Sequence, residues 1–257
     1  MMALAARLPE RVIPGAPKFF ADSSAYESDI LRKLGQYLTP ERKRAFVGEL
    51  LIVHGDKSHG SSTAAGERTM DTTAPAFTDL LRNANALQMP FMLHWEVYDW
   101  SRDWPRMSAL YAQWPQLVFI WPHAGFGSAA QVREVIEKHS NVMVTLSKTE
   151  QGQDALSAEK SEQIGPPLID ACGRIDAEWN RLLLDHPERF LFATDAHKDF
   201  RWNRYERIVH RWRNILKQLP GPIARQIAHG NAMRVYHLKP DANEAPEAAA
   251  SGAEGER

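Results

Sequence analysis

From about residue 45 onward, short apolar runs alternate with segments whose apolar residues recur at helical spacing. The runs are Ala45 to His54 (AFVGELLIVH), Met89 to Glu96 (MPFMLHWE), Leu117 to Gly127 (LVFIWPHAGFG), Asn141 to Ser147 (NVMVTLS) and Arg189 to His197 (RFLFATDAH). Their length and near-continuous apolarity predict buried strands. Between them, Thr73 to Leu87 places Phe77, Leu80, Leu81, Ala84 and Leu87 on one face, and Trp104 to Trp114 does the same with Met107, Leu110, Tyr111 and Trp114. Ser128 to His139, Ala177 to Leu184, Trp202 to Leu219 and Pro222 to about Leu238 complete the predicted helices. Strand followed by helix, repeated, predicts a parallel sheet with helical crossovers. Upstream, Arg11 to Phe20 is expected to form a short strand running into a Pro/Gly turn. Glu27 to Tyr37 is expected to be a helix, and Thr39-Pro40-Glu41 opens another. From Pro240 the chain is rich in Ala, Glu, Gly and Pro without large apolar residues. The expected organisation is one domain over 1–238 and a disordered acidic tail over 239–257.

Composition narrows the function. The 257 residues suit a single α/β barrel, which commonly takes about 250. A net charge of -1 without a long basic run gives no electrostatic footprint for nucleic acid. No run approaches the length of a membrane span, and a cytoplasmic protein is expected. The single cysteine, Cys172, excludes an intrachain disulfide and a cysteine-rich zinc cluster, so any metal must take histidine and carboxylate ligands. A small-molecule substrate and a homo-oligomer remain as partner classes. The eight tryptophans, several within 95–121, are expected to pack helices onto strands.

Candidate chemistry lies at the strand ends. His94, His123 and Asp195 each close a predicted strand, and His54 ends another. In a parallel β/α barrel these ends converge on one face, where functional groups collect. Two imidazoles and a carboxylate match the ligand types and number of a catalytic divalent metal with an open position for water. Each residue also has a plainer role: His94 and His123 as hydrogen-bonded strand-end histidines, Asp195 as the cap of the next helix. Their conjunction favours a shared pocket. Glu96 shares the pleat direction of His94 and is a candidate partner for it. His54, His197 and Arg201 are candidates to line the mouth and touch substrate. His139, His186, His210, His229 and His237 fall on helices or their ends and are expected to be structural.

Four stretches together resemble the amidohydrolase superfamily, in its amidohydrolase-related branch that includes aminocarboxymuconate-semialdehyde decarboxylase-like proteins. PFMLHWE is similar to the fifth-strand motif, VFIWPHAGFG to the sixth-strand motif and RFLFATDAH to the eighth-strand motif. IAHGNAMRVY is similar to the terminal helix with its Asn-Ala pair, here Asn231 and Ala232. The resemblance implies a TIM-type β/α barrel and a divalent metal, zinc first and manganese second. It implies His94 as a ligand, His123 as a ligand or as the histidine that orients water and substrate, and Asp195 as ligand and general base. The implied reaction is hydrolysis of a small amide, lactone or ester. Non-oxidative decarboxylation on the same site and a catalytically inactive remnant acting as scaffold are the alternatives. The family's first strand carries His-x-His, which this sequence lacks. Counting back from Asp195 reaches Val47 as the fourth strand and Val12 as the third, so a truncated barrel with about six of eight strands is expected.

Overall fold

The structure, a computed structural model, describes residues 7–8, 12, 14–15, 26–36, 38–39, 46–54, 68–149, 165–196 and 199–238. The described chain starts with a helix, α1 (Tyr26–Gly35), and continues into strand β1 (Val47–His54). A two-residue strand, β2 (Arg68–Thr69), pairs antiparallel with the end of β1. Four α/β repeats follow: α2 (Pro75–Ala86) and β3 (Phe91–Trp95), α3 (Trp100–Gln113) and β4 (Phe119–Trp121), α4 (Ala129–Lys138) and β5 (Val142–Thr145), α5 (Ala177–Asp185) and β6 (Phe190–Leu191). The chain then forms α6 (Asp199–Trp202), α7 (Tyr205–Leu216), α8 (Gly221–Arg225), a π-turn over Gln226–Gly230 and α9 (Asn231–Val235).

The sheet order is β2-β1-β3-β4-β5-β6, and β1, β3, β4, β5 and β6 run parallel. Among the described residues, β2 and β6 form its two margins. Alternation sorts the side chains. Phe91, Leu93, Phe119, Trp121, Val142 and Val144 join the larger core under the helices. Ile120, Met143 and Leu191 face the other way, with Met92 packed against them and Val235 closing that side. Met92, Ile120 and Met143 lie in register across three strands and form an apolar floor. Two residues beyond Met92 and Met143 stand His94 and Thr145, so polar groups occupy the next layer toward the C-terminal strand ends.

Several expectations change in detail. Val12 donates a backbone bond to the Leu8 carbonyl at 2.9 Å, as in a helical turn, and Val12, Pro14 and Gly15 belong to no strand. Pro14 has no N–H to give to a ladder. The rest of the stretch 11–20, like Pro40 and Glu41, lies outside the described residues. The sixth strand is instead β2, which its two-residue length hid from periodicity. Helix α3 begins at Trp100, four residues before the predicted start. The Asp99 carboxylate accepts from Arg102 N at 3.1 Å and caps it, which places Pro105 inside the helix. The predicted helix from Trp202 is divided between α6 and α7 at Asn203-Arg204. The proposed tail at 239–257 lies outside the described residues.

The tryptophans pack. The Trp95 and Trp121 rings stack at 4.5 Å, Trp100 stacks on Trp95 at 6.0 Å and Trp104 on Trp100 at 5.2 Å. Trp121 Nε1 donates to the Trp95 carbonyl, and Trp95 Nε1 to the Tyr111 hydroxyl, both at 2.9 Å. This column ties α3 to β3 and β4 and leaves the indole N–H groups of Trp95 and Trp121 satisfied despite burial. Asn231 is buried and donates to the carbonyls of Pro187 (2.7 Å) and Phe190 (2.8 Å), fastening α9 beneath β6.

Candidate metal centre

His123 reaches the site on a left-handed turn. Immediately after β4, His123, Ala124, Gly125 and Phe126 all have φ between 51° and 58°. This region is costly for residues with a Cβ, by about 1–2 kcal/mol each. Gly125 is required by space as well, since a Cβ there would lie 2.3 Å from the Trp121 ring. The turn is fixed by Val97 N donating to Gly125 O (2.9 Å), Gly165 N to Phe126 O (2.7 Å) and His123 N to Thr145 Oγ1 (3.1 Å). Phe126 stacks on the imidazole at 5.1 Å.

The orientation of the ring follows from its partners. His123 Nδ1 lies 3.1 Å from the Ser147 carbonyl and 2.9 Å from Ser147 Oγ. A carbonyl only accepts, so Nδ1 carries the proton and Nε2 presents its lone pair. That nitrogen is 3.4 Å from Glu49 Oε1. The same carboxylate oxygen contacts Nδ1 of His94. The opposite nitrogen, His94 Nε2, lies 2.9 Å from Glu96 Oε1, and His54 Nε2 stands 3.9 Å from that oxygen. His94 is therefore flanked by two carboxylates, with its ring centroid 5.3 Å from those of both His54 and His123.

Charge and burial shape the titration. Burial alone would raise the Glu49 carboxyl, but the charge on His94 and the close approach of the His123 and His94 rings hold it well below the usual carboxylate range. Burial alone would lower His94, yet the Glu49 charge and hydrogen bonds to Glu49 and Glu96 raise it. For His123 burial wins, helped by the charge on His94, and its pKa is lowered despite Glu49 and Asp195.

Glu49, His94 and His123 bring three ligand atoms within 4.8 Å of one another, as do His54, His94 and Glu96. With metal–ligand bonds of 2.0–2.2 Å, two ligands of one tetrahedral ion stand roughly 3.3–3.5 Å apart. The 3.4 Å between His123 Nε2 and Glu49 Oε1 matches that edge, and it is long for a hydrogen bond. The donor set thus fits a divalent ion.

Of the residues singled out from sequence, His94, His123, Glu96 and His54 meet in this one cluster. Asp195 stands beside it. Its charge acts on His123, while its Oδ2 pairs with Lys148 Nζ at 3.0 Å. Both partners of that pair have left-handed backbone, φ 47° at Asp195 and 66° at Lys148. Arg201 is buried and spends Nη2 on the Thr194 carbonyl at 2.7 Å, one residue before Asp195. His197 lies outside the described residues. Glu49 and Lys148 were not anticipated. Glu49 had one signal, a carboxylate inside the otherwise apolar run VGELLIV, but the run does not tell which face the residue takes. A register shift between Val47 and Leu50 decides that: three steps along β1 match two along β3. Such a bulge re-aims a side chain.

A family model described as Amidohydrolase matches residues 42–238. The chain belongs to the amidohydrolase family. No curated protein matches it in sequence. Among solved structures, it is similar to a TIM-barrel protein from Bordetella bronchiseptica, with TM-score 0.57 and 12% identity, over 92% of this chain and 70% of that one. It is also similar to 5-carboxyvanillate decarboxylase from Sphingomonas paucimobilis, with TM-score 0.52 and 14% identity, over 93% and 70%. A candidate 2-pyrone-4,6-dicarboxylic acid hydrolase from Pseudomonas putida aligns with TM-score 0.50 and 13% identity, over 94% and 88%. At such identities these likenesses establish the α/β-barrel architecture of this amidohydrolase and leave its reaction open.

Among the described residues of the amidohydrolase, no helix is long and apolar enough to cross a membrane.

Proposed function

We propose that this amidohydrolase is a metal-dependent hydrolase of a small amide, lactone or ester. The observation that carries the reading is the partly buried Glu49 carboxylate shared by His94 Nδ1 and His123 Nε2. Glu49, His94 and His123 would hold one divalent ion, zinc or manganese, with Asp195 next to them. Bound there, the ion would supply a Lewis acid and lower the pKa of a water molecule toward neutrality.

The chain's own residues do the rest. Ser147 and Thr145 hold the His123 ring and backbone, so that Nε2 keeps its lone pair toward Glu49. Glu96 orients His94 through Nε2. Asp195 takes a proton from the attacking water and returns it to the leaving group, while the Lys148 ammonium at 3.0 Å compensates the carboxylate charge. Arg201, bonded to the Thr194 carbonyl, steadies the backbone entering Asp195. His54, at the partly exposed end of β1, faces incoming substrate, and His197 is assigned the same role from its place after Asp195 in the sequence.

A second reading is non-oxidative decarboxylation of an aromatic or unsaturated carboxylate. Two buried cations beside the candidate base, Lys148 and Arg201, favour it, since a substrate carboxylate needs such partners. One experiment separates the readings. The purified protein, loaded with zinc or manganese, is assayed against small lactones, esters and amides by pH-stat and against hydroxybenzoates by CO2 release. Turnover of the first group alone supports hydrolysis, and CO2 release alone replaces it with decarboxylation. No bound metal after reconstitution, with no turnover of either group, rejects both in favour of an inactive scaffold.

A further inference from the structure

Helix α7 carries positive charge that its neighbours leave unbalanced. Arg207, His210, Arg211 and Asn214 recur at the i, i+3, i+4 and i+7 spacing that places residues on one helix face. Among the described residues, the side chains of Arg207, His210 and Arg211 make no ion pair or hydrogen bond. Arg133 on α4, by contrast, meets Glu137 at 3.0 Å and Asp185 at 2.8 Å. Like charges one turn apart on a helix repel, so Arg207 and Arg211 weaken the helix that bears them unless an anion lies between.

The face looks onto the loop that leads into α5, and the two enclose a cavity of about 560 Å³. That volume falls within the range of small-ligand pockets, roughly 300–1,000 Å³. Ile169 and Ile215, both buried, supply an apolar lining. The walls are fixed before any ligand arrives. Asp170 N donates to the Arg174 carbonyl at 2.8 Å and Gly173 N to the Asp170 carbonyl at 3.0 Å, closing the loop on itself. Gln218, just past α7, fastens that loop to the helix: its Oε1 accepts from Ile175 N at 3.0 Å and its Nε2 donates to the Gly173 carbonyl at 2.9 Å. A preformed cavity loses little on ordering when it is filled. Asp170, the acid among the lining residues, is already engaged. Its Oδ2 pairs with Arg174 Nε at 3.0 Å, and its Oδ1 accepts from Cys172 N at 2.8 Å and Arg174 N at 2.9 Å.

We infer that this cavity binds a small phosphate monoester, its phosphoryl oxygens on Arg207, His210 and Arg211 and its apolar body against Ile169 and Ile215. Two guanidinium forks and an imidazole offer more donors than the two oxygens of a carboxylate take up. A phosphoryl group presents three strong acceptor oxygens and a charge near −2. None of these residues belongs to the Glu49 cluster, so the inference goes beyond the proposed function and does not depend on it.

Cys172, the single cysteine of the chain, is exposed and lines the same cavity, which makes it a reporter. The full chain is titrated with phenyl phosphate while the reaction of Cys172 with N-ethylmaleimide, an uncharged reagent, is followed by mass spectrometry. Saturable protection is expected in the wild type at roughly millimolar phenyl phosphate or below. Arg207→Gln and Arg211→Gln should each weaken it by about tenfold, the usual worth of a charge-assisted hydrogen bond. Both residues are on the surface side of α7, and circular dichroism checks that the variants fold. Absence of protection overturns the site. Equal protection in the wild type and both variants overturns it too, because the ligand then binds elsewhere. Protection reproduced by sodium chloride at matched ionic strength reduces the effect to charge screening and overturns it as well.

Discussion

Glu49 and His94, which lie 45 positions apart in sequence, share a contact between a carboxylate oxygen and Nδ1 that binds adjacent strands at the base of the site. Removing the carboxylate should strip the site of the acidic group that His94 and His123 share. Glu49→Gln is expected to cut metal affinity by roughly 10–100-fold or more, at least the penalty measured for losing a partner of a ligand. Elemental analysis after dialysis against a weak chelator reads this out, and unchanged metal content would remove Glu49 from the site.

Asp195→Asn keeps the shape of the side chain but removes its basicity and its charge toward Lys148. Turnover on whichever substrate class is active should fall roughly 10²–10⁴-fold, the usual worth of a general base. The circular dichroism spectrum should not change. Full activity in the variant would assign proton transfer to another group.

The metal-free protein should show a pH signature. His94 is raised from 6.5, so its pairing contributes fully below that value and is lost as pH rises through the folded pKa. Glu49 is lowered from 4.5, so its share is present above that value and is lost as pH falls through the depressed folded pKa. The melting temperature of the wild type minus that of Glu49→Gln should therefore be largest between pH 4.5 and 6.5 and shrink on both sides. A difference that stays constant with pH would show that the pair does not titrate in this way.

Gly125→Ala should damage the turn that carries His123. The added Cβ meets the Trp121 ring at 2.3 Å and adopts φ +57°. Overpacking and left-handed strain together suggest a loss of roughly 2–5 kcal/mol. A melting temperature within a degree or two of wild type would mean that the turn relaxes freely.

Asn231→Ala removes both hydrogen bonds that fasten α9 to the carbonyls of Pro187 and Phe190. Leaving these acceptors unmet should cost about 2–4 kcal/mol, read by urea unfolding. Metal stoichiometry should hold, because Asn231 lies beneath β6 and away from the Glu49 cluster. Loss of the ion in this variant would tie the terminal helix to the site.

The sequence by itself determined the alternation of strands and helices, the amidohydrolase resemblance and the strand-end places of His94, His123 and Asp195. Those features are local: apolar runs fix burial, helical spacing fixes a face, and each histidine ends a run that must point to one side of a parallel sheet. Tertiary structure decided which groups meet. The register shift between Val47 and Leu50 aims Glu49 inward, a slip that no single-strand pattern encodes because it belongs to the pairing of β1 with β3. Lys148 meets Asp195 only because β5 and β6 are neighbours and both residues turn left-handed just past the strands. The same limit applied to β2, which is too short to show a period and exists through its pairing with Val53 and His54. Strand ends were legible because alternation is written along the chain. Their partners were not, because distance across the sheet is set by register.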